Sequence, residues 1–227
     1  MMRLAIKLYK MLIKMYLGSI LTEEWWPVNG GLDWPAPASN IFERAVGAVL
    51  VQNTSWRNVQ RAIENLQSQK LLNTTAFLSA SEAVIAECVR PAGFVTRKPK
   101  TLKTLASFLA NVETEELTTG ELREKLLEIK GIGPETADTL LLFAFERPVL
   151  PISQPALRVL SRFCNIQIND REQFEALTSV LPKQVMVLRT FHALLVEFAS
   201  KVCQKNRPQC NCCPLKRTCK TKSTPNP

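Results

Sequence analysis

Apolar residues recur every three to four positions along most of the chain, and they hardly ever alternate with polar ones. Such spacing places apolar side chains on one face of a helix, whereas a half-buried strand would show alternation. Glycine is also scarce, with 8 in 227 residues. The pattern therefore predicts an all-α protein, and its length suffices for one large domain or two small lobes.

The apolar periods predict a series of helices separated by short polar or proline-containing breaks. Their approximate ranges are 1–17, 40–50, 57–69, 75–78, 81–88, 98–109, 122–129, 134–143, 156–163, 171–180 and 184–200. The first helix is amphipathic and cationic, so it either docks on the body of the protein or lies on a membrane surface. An irregular segment, 18–38, is rich in tryptophan, and these rings either stack on bases or cover the edge of a core.

The charge narrows the choice of partner. The formal net charge is +9 with a single histidine in the chain, which favours a polyanionic partner, most simply nucleic acid. Charge alone does not separate DNA from RNA or from a membrane surface. No signal pattern and no apolar stretch of membrane-spanning length occurs. We therefore expect a cytoplasmic, nucleoid-associated protein of a bacterium or an archaeon, the alternative being a protein of a eukaryotic organelle.

Residues 126–142 are centred on the turn Gly131-Ile132-Gly133-Pro134. One helical apolar pattern stops at Lys130, and a second begins at Pro134, a residue favoured in the first turn of helices. The two glycines allow positive φ and a tight turn. The second helix then presents unpaired N–H groups that suit a phosphate. The stretch is read as a helix-hairpin-helix that binds a DNA backbone without reading sequence, the alternative being an ordinary packing corner.

Several residues are candidates for contacts with DNA. Gln52 lies in a polar corner just after a buried helix, where it either fills the gap left by an extruded base or is a plain surface residue. Those of the hairpin are Lys130, Gly131, Ile132, Gly133, Glu135 and Thr136. A second cationic group, Lys205, Arg207, Lys216 and Arg217, surrounds a cluster of cysteines near the end of the chain. These charges either bind phosphates or only keep the tail soluble.

Four cysteines, Cys203, Cys210, Cys213 and Cys219, fall within one short stretch without a nearby histidine. Thiolates alone bind zinc or an iron–sulfur cluster. Structural zinc sites usually have two close cysteine pairs separated by a longer spacer, which this spacing fits poorly. A [4Fe–4S] cluster in a compact loop fits better. Cys212 is taken as a non-ligand, and Cys88 and Cys164 are predicted to lie in the core.

The hairpin and the downstream cysteine spacing together resemble the endonuclease III superfamily of base-excision DNA glycosylases, over about residues 38–220. Residues 131–138 look most similar to the branch that removes alkylated bases such as 3-methyladenine. The resemblance implies two lobes with bent DNA across the cleft between them and one nucleotide flipped out. It also places Gln52 at the position of the intercalating wedge.

This resemblance implies the following division of the chain. Residues 1–37 form an N-terminal helix and loop that pack with the C-terminal lobe, and residues 38–149 form a six-helix domain that contains the hairpin. Residues 150–202 supply the remaining helices of the cluster lobe, residues 203–219 the [4Fe–4S] loop and residues 220–227 a tail. We expect a monomer that binds damaged double-stranded DNA and no membrane.

Two departures from the family pattern affect the chemistry. Relatives with lyase activity carry a lysine nucleophile where this chain has Glu135, and a carboxylate forms no Schiff base. The family's catalytic aspartate corresponds to Ser153 here, and no Asp or Glu lies between Arg147 and Asn169. A serine supplies no negative charge to a cationic transition state, and losing such a group costs about 10²–10³ in rate.

Three interpretations remain open. The protein is a monofunctional glycosylase for bases that are already cationic, or a glycosylase with a relocated carboxylate for which Glu135 and Asp138 are the candidates. Alternatively it is a catalytically silent DNA-binding or lesion-sensing homologue. An iron–sulfur protein unrelated to DNA would leave the hairpin and the positive charge unexplained.

Overall fold

The computed structural model describes residues 2–17 and 40–221. Those residues form α-helices and one short 3₁₀ helix, with no strand among them, so the all-α prediction is confirmed. They divide into two compact units at Pro151–Ile152. We call residues 40–151 the hairpin unit, and residues 2–17 with 152–221 the cysteine unit. The tryptophan-rich segment and the last six residues lie outside the described residues.

The hairpin unit contains seven α-helices and the 3₁₀ turn within its described residues. They are α2 (Ile41–Leu50), α3 (Trp56–Ser68), α4 (Thr74–Ser79), α5 (Glu82–Val89), the 3₁₀ turn (Arg90–Ala92), α6 (Lys98–Asn111), α7 (Thr119–Leu127) and α8 (Pro134–Phe143). The cysteine unit contains α1 (Met2–Leu17), α9 (Gln154–Cys164), α10 (Arg171–Thr178) and α11 (Val185–Lys201). Each helix predicted among these residues is present, with ends that shift by a turn or less.

Helices α2 and α8 form the centre of the hairpin unit and pack against each other. Both are apolar on nearly every side, and α8 is buried from Thr136 to Phe143. The entry to α2 is fixed by Asn40, whose side chain accepts a hydrogen bond from the backbone N–H of Glu43 at 2.9 Å. A capping box between Thr118 and Glu121 starts α7 in the same way. Local capping and central burial therefore set the direction of the hairpin helices.

In the cysteine unit, α1 packs against α9, α10 and α11. Its residues Ala5, Leu8 and Leu12 are buried, and Tyr9 meets Phe191 of α11 edge-to-face at 5.5 Å between ring centroids. The apolar face of α1 is thus used for packing on the body of the unit. No helix in the described ranges has the length and apolarity needed to cross a membrane.

Candidate functional site

The hairpin turn joins α7 to α8 through residues 128–133. Ile132 donates its N–H to the carbonyl of Ile129 at 2.9 Å, and its side chain is buried. Lys130 and Glu135 flank the turn with exposed side chains. Because α8 begins at Pro134, its first turn leaves N–H groups without an intrahelical acceptor. The turn therefore combines a buried anchor with polar groups at the surface, an arrangement that suits a phosphate.

The two glycines of the turn have different roles. Gly131 has φ +99, and a Cβ added there would lie 2.2 Å from Oγ1 of Thr101 on α6. Gly133 has φ −92, an ordinary extended value, and an added Cβ would meet nothing within 4 Å. Of the two glycines, only Gly131 adopts the positive φ that the sequence allowed for both, and it is needed for close approach to α6 as well.

The polar corner that carries Gln52 is hydrogen-bonded to the hairpin. The amide Nε2 of Gln52 donates to Thr136 Oγ1 at 2.8 Å and to the carbonyl of Gly131 at 3.4 Å. Thr136 is buried, so its hydroxyl serves this contact. The neighbouring Asn53 has φ 54, a left-handed conformation that asparagine tolerates. Two segments predicted separately from the sequence thus form one polar surface in the hairpin unit.

Lys98 is a buried polar residue that binds the backbone of this corner, and the sequence pattern does not single it out. It is only 4% exposed, and its Nζ donates to the carbonyls of Leu50, Gln52 and Ala92 at 2.8, 2.9 and 2.8 Å. Burial lowers the pKa of Lys98 to about 8, so it remains largely an ammonium at neutral pH. Its helix reads as basic and amphipathic, and the only sequence signal is its place at the first turn, beside Pro99.

The two carboxylates proposed for catalysis lie in different environments. Asp138 is fully buried and accepts a hydrogen bond from Nε of Arg123 at 2.9 Å in an ion pair between α7 and α8. Glu135 is exposed, yet partial desolvation and then the charge of Asp138 raise its pKa. Asp138 is therefore occupied with joining the hairpin helices, whereas Glu135 is free to meet a ligand.

Ser153, at the family's aspartate position, belongs to the cysteine unit and caps α9. It is 2% exposed, and its hydroxyl accepts a hydrogen bond from the N–H of Ala156 at 3.3 Å. A serine is a favoured N-cap because it satisfies one of the free N–H groups of the first turn. The residue is thus explained by the stability of α9.

The four predicted ligand cysteines line one cavity in the cysteine unit, together with apolar side chains of α9 and α11. The pKa of Cys213 is raised by burial and further by the charges of the other three thiols. In the described part of the chain no group of three or more His, Cys, Asp or Glu side chains converges as a site for one metal ion. Cys212 is exposed and does not line the cavity, while Cys88 and Cys164 are buried in the core as predicted.

The cysteine loop is attached to α9 through Arg162. Its guanidinium donates to the carbonyls of Gln204 and Lys205 at 2.7 and 3.0 Å, and its own carbonyl accepts from the N–H of Thr221 at 3.2 Å. Leu215 is buried and anchors the middle of the loop. The four cations of the loop, Lys205, Arg207, Lys216 and Arg217, are all exposed. The loop therefore presents positive charge at the surface of a fixed scaffold.

Comparison with known proteins identifies the family. Residues 46–194 match the HhH-GPD superfamily of base excision DNA repair proteins, and the chain belongs to that family. A protein of Methanocaldococcus jannaschii, provisionally named a DNA repair glycosylase, is 36% identical and spans 95% of this chain and 96% of its own. The thymine-DNA glycosylase of Aeropyrum pernix is 27% identical over 86% of this chain and 90% of its own. The family resemblance predicted from the hairpin and the cysteines is confirmed.

Solved structures of the same family share the fold. The 3-methyladenine DNA glycosylase of Helicobacter pylori, solved with 1,N6-ethenoadenine, superposes with a TM-score of 0.68 at 26% identity, covering 87% of this chain and 97% of that one. A non-covalent endonuclease III–DNA complex superposes with a TM-score of 0.73 at 20% identity, covering 97% and 95%. The second likeness shows the fold alone.

Proposed function

We propose that this protein is a monofunctional DNA glycosylase that binds double-stranded DNA and removes alkylated purines without lyase activity. The observation that carries the proposal is Glu135 at the head of the hairpin helix, exposed and with a raised pKa. A carboxylate there forms no Schiff base, which removes the usual route to strand cleavage, but it can accept a proton.

The hairpin unit supports double-stranded DNA as the partner. Its turn offers N–H groups and the exposed Lys130 to a phosphate, and Gln52 lies beside that turn. We assign Gln52 as the side chain that fills the gap left by the extruded base. The exposed cations of the cysteine loop would supply further phosphate contacts. Endonuclease III, whose fold this chain shares, has been solved in complex with DNA.

Alkylated purines suit a site with little catalytic equipment. A 3-alkylated adenine is already cationic, so the electron pair of the breaking C1′–N bond neutralises the departing base and no general acid is required. Water that attacks C1′ must lose a proton, and the carboxylate of Glu135 is the candidate acceptor. The glycosylase of Helicobacter pylori that shares this fold is itself a 3-methyladenine enzyme. A missing aspartate is therefore less costly for this substrate than for a neutral base.

We further propose that Cys203, Cys210, Cys213 and Cys219 hold a [4Fe–4S] cluster. The donor set is thiolate only, and the four side chains line one shared cavity in the cysteine unit. The cluster would fold the loop that displays the four exposed cations.

A second function is favoured by two specific contacts. Asp138 takes part in an ion pair and Ser153 in a helix cap, and both contacts favour structural roles for these residues. A chain that has lost base release and retained DNA binding would have these features. Such a protein would act as a lesion sensor or accessory factor.

Single-turnover base release separates the two functions. The protein, in excess, is incubated with duplexes containing 3-methyladenine, 7-methylguanine, uracil or an oxidised pyrimidine, beside the variants Glu135→Gln, Asp138→Asn and Ser153→Asp. We expect the wild-type protein to release alkylated purines without cleaving the DNA strand. We expect Glu135→Gln to lose base release. Salt-sensitive binding without release, with activity appearing in Ser153→Asp, would establish the DNA-binding function instead.

A further inference from the structure

Two loops of the hairpin unit carry the proposed DNA contacts, the corner at residues 51–55 and the hairpin turn at residues 128–133. Both are hydrogen-bonded to the first turn of α6. We infer that Lys98 and Thr101 of α6 are positioning residues that hold the two loops at a fixed separation. The side chain of Gln52, which fills the gap left by the base, and the phosphate-binding hairpin turn can then act on the same nucleotide. The inference rests on the proposed function of the hairpin unit.

Lys98 fixes the corner through the backbone. The carbonyls of Leu50 and Gln52 that it binds come from the end of α2 and the start of the corner, and Ala92 supplies the third acceptor. Helix C-termini carry partial negative charge, so an ammonium is well placed there. Within the described residues Lys98 has no carboxylate in an ion pair, and all three of its donors are committed to carbonyls. A buried charge of this kind is costly unless its geometry is well defined.

Thr101 fixes the hairpin turn in the same manner. It is buried, and its hydroxyl donates to the carbonyl of Lys130 at 2.9 Å. The next residue, Gly131, approaches Thr101 so closely that an added Cβ would be 2.2 Å from Oγ1. Lys98 and Thr101 are three residues apart, which places them on the same side of α6. One turn of one helix therefore holds both loops.

The side chain of Gln52 closes this set of contacts. Its backbone carbonyl is held by Lys98, while its amide donates to Thr136 and to Gly131 on the hairpin. The corner and the turn are separated by about eighty residues in the chain, as the contact between positions 52 and 131 spans 79. Their alignment is thus set by these hydrogen bonds and by packing on α6.

These contacts predict that variants of Lys98 and Thr101 will lose base extrusion and base release but will keep their affinity for DNA. Lys98 and Thr101 are buried, so they make no direct phosphate contact, and their loss should leave affinity for DNA nearly unchanged. Misplacing a group at a reacting centre by about 1 Å can cost on the order of 10² in rate. We therefore expect base extrusion and release to fall by about that factor while binding is retained.

Hydrogen exchange in the free protein tests the positioning directly. We compare Lys98→Met and Thr101→Val with Lys100→Met and Thr104→Val, which make the same changes at exposed positions of α6. Removing one hydrogen bond should speed hydrogen exchange of the backbone amides in the loop that it holds by about tenfold. If the positions of the two loops are coupled, Lys98→Met speeds exchange at Ile132 of the hairpin turn as well as at amides of the corner. Exchange confined to the corner would overturn the inference.

The second measurement uses a duplex with 2-aminopurine as the base opposite a tetrahydrofuran abasic analogue. Binding is followed by anisotropy and extrusion by 2-aminopurine fluorescence. We expect Lys98→Met and Thr101→Val to bind the duplex like their controls but to give the low fluorescence of Gln52→Ala. Thr101→Ser keeps the hydroxyl and should recover the fluorescence. If Lys98→Met fails to fold, the comparison of Thr101→Val with Thr101→Ser tests the inference.

The outcomes separate this inference from the function on which it rests. Fluorescence equal to that of the controls in both Lys98→Met and Thr101→Val would overturn the positioning roles and leave the glycosylase proposal intact. A wild-type protein that neither binds these duplexes nor changes the fluorescence would overturn the proposed function, and the inference with it.

Discussion

At the scale of single residues, three buried polar residues of the hairpin unit each bind a specific backbone or side-chain partner. Asp138 is paired with Arg123, and Lys98 and Thr101 bind carbonyls of the two loops. Unpaired buried charges cost several kcal/mol, so each partner is required by the burial of the other. Because Asp138 is committed to its ion pair, Glu135 is the one of the two candidate carboxylates that remains exposed to a ligand.

Gly131→Ala should destabilise the protein more than Gly133→Ala. Position 131 has positive φ and lacks space for a Cβ against Thr101, so strain of about 1–2 kcal/mol adds to overpacking of about 1–3 kcal/mol. Position 133 has neither restriction, and its cost should stay below about 1 kcal/mol. Urea unfolding of both variants measures the difference in the free energy of unfolding. Equal losses would show that the turn does not require this conformation.

His192 should make the protein less stable in mild acid. Burial lowers its pKa from 6.5 to about 4, so the folded protein keeps the imidazole neutral while the unfolded chain binds a proton. The free energy of unfolding therefore does not depend on protonation of this group above pH 6.5, and it falls by about 3 kcal/mol between pH 6.5 and about 4. Comparing the free energy of unfolding of wild type and of His192→Gln at each pH isolates the contribution of this imidazole. A constant difference across that window would contradict the assignment.

At the scale of elements, the cysteine loop depends on contacts outside itself. It has no α-helix of its own between residues 203 and 219, and of its side chains only Leu215 is buried. Arg162 of α9 binds its first carbonyls, and the four thiols line the cavity behind it. A segment with so little apolar burial needs a crosslink for a fixed shape, which is the structural part we assign to the cluster.

Cys213→Ser should remove bound iron and visible absorbance and should lower the thermal midpoint of the cysteine unit. Cys212→Ser, one residue away and exposed outside the cavity, is the matched control and should retain both. Iron analysis, the absorption spectrum and calorimetry of the two purified variants make the comparison. Purified wild type with zinc in place of iron, or equal iron in both variants, would refute the proposed ligand set.

At the scale of the whole molecule, a net charge of +9 attracts DNA before any specific contact forms. The exposed cations of the hairpin turn and the cysteine loop are proposed to contact phosphates, whereas Lys7, Lys10 and Lys14 form an exposed row on α1 with no assigned partner. Salt dependence distinguishes local contacts from the general field, because only contacted phosphates release counterions.

The double variant Lys216→Ala with Arg217→Ala should reduce the slope of log K against log salt by about 1.8, since each phosphate contact contributes about 0.9. The pair Lys7→Ala with Lys10→Ala removes the same net charge from α1 and serves as the control. Affinities for an undamaged duplex at a series of salt concentrations give both slopes. The same reduction in both pairs would mean that net charge, and not contact by the loop, controls binding.

The sequence by itself determined the features that depend on neighbours along the chain. Helix positions follow from apolar periodicity, and the hairpin from the turn at Gly131. The cysteine spacing and the hairpin were enough to identify the family. These signals lie within a few turns of chain, because capping, turn geometry and amphipathicity are local properties.

Only the tertiary structure decided which polar residues are available for chemistry. The sequence does not single out Lys98, and it offers Asp138 as a second candidate carboxylate and Ser153 as an altered catalytic position; in the structure all three are buried and hydrogen-bonded. Lys98 and Asp138 bind groups outside their own helices, and Ser153 binds the first turn of the helix that it caps. Whether a polar side chain is buried depends on which backbone and side-chain groups from distant parts of the chain can hydrogen-bond to it. Apolar periodicity carries no information about those partners.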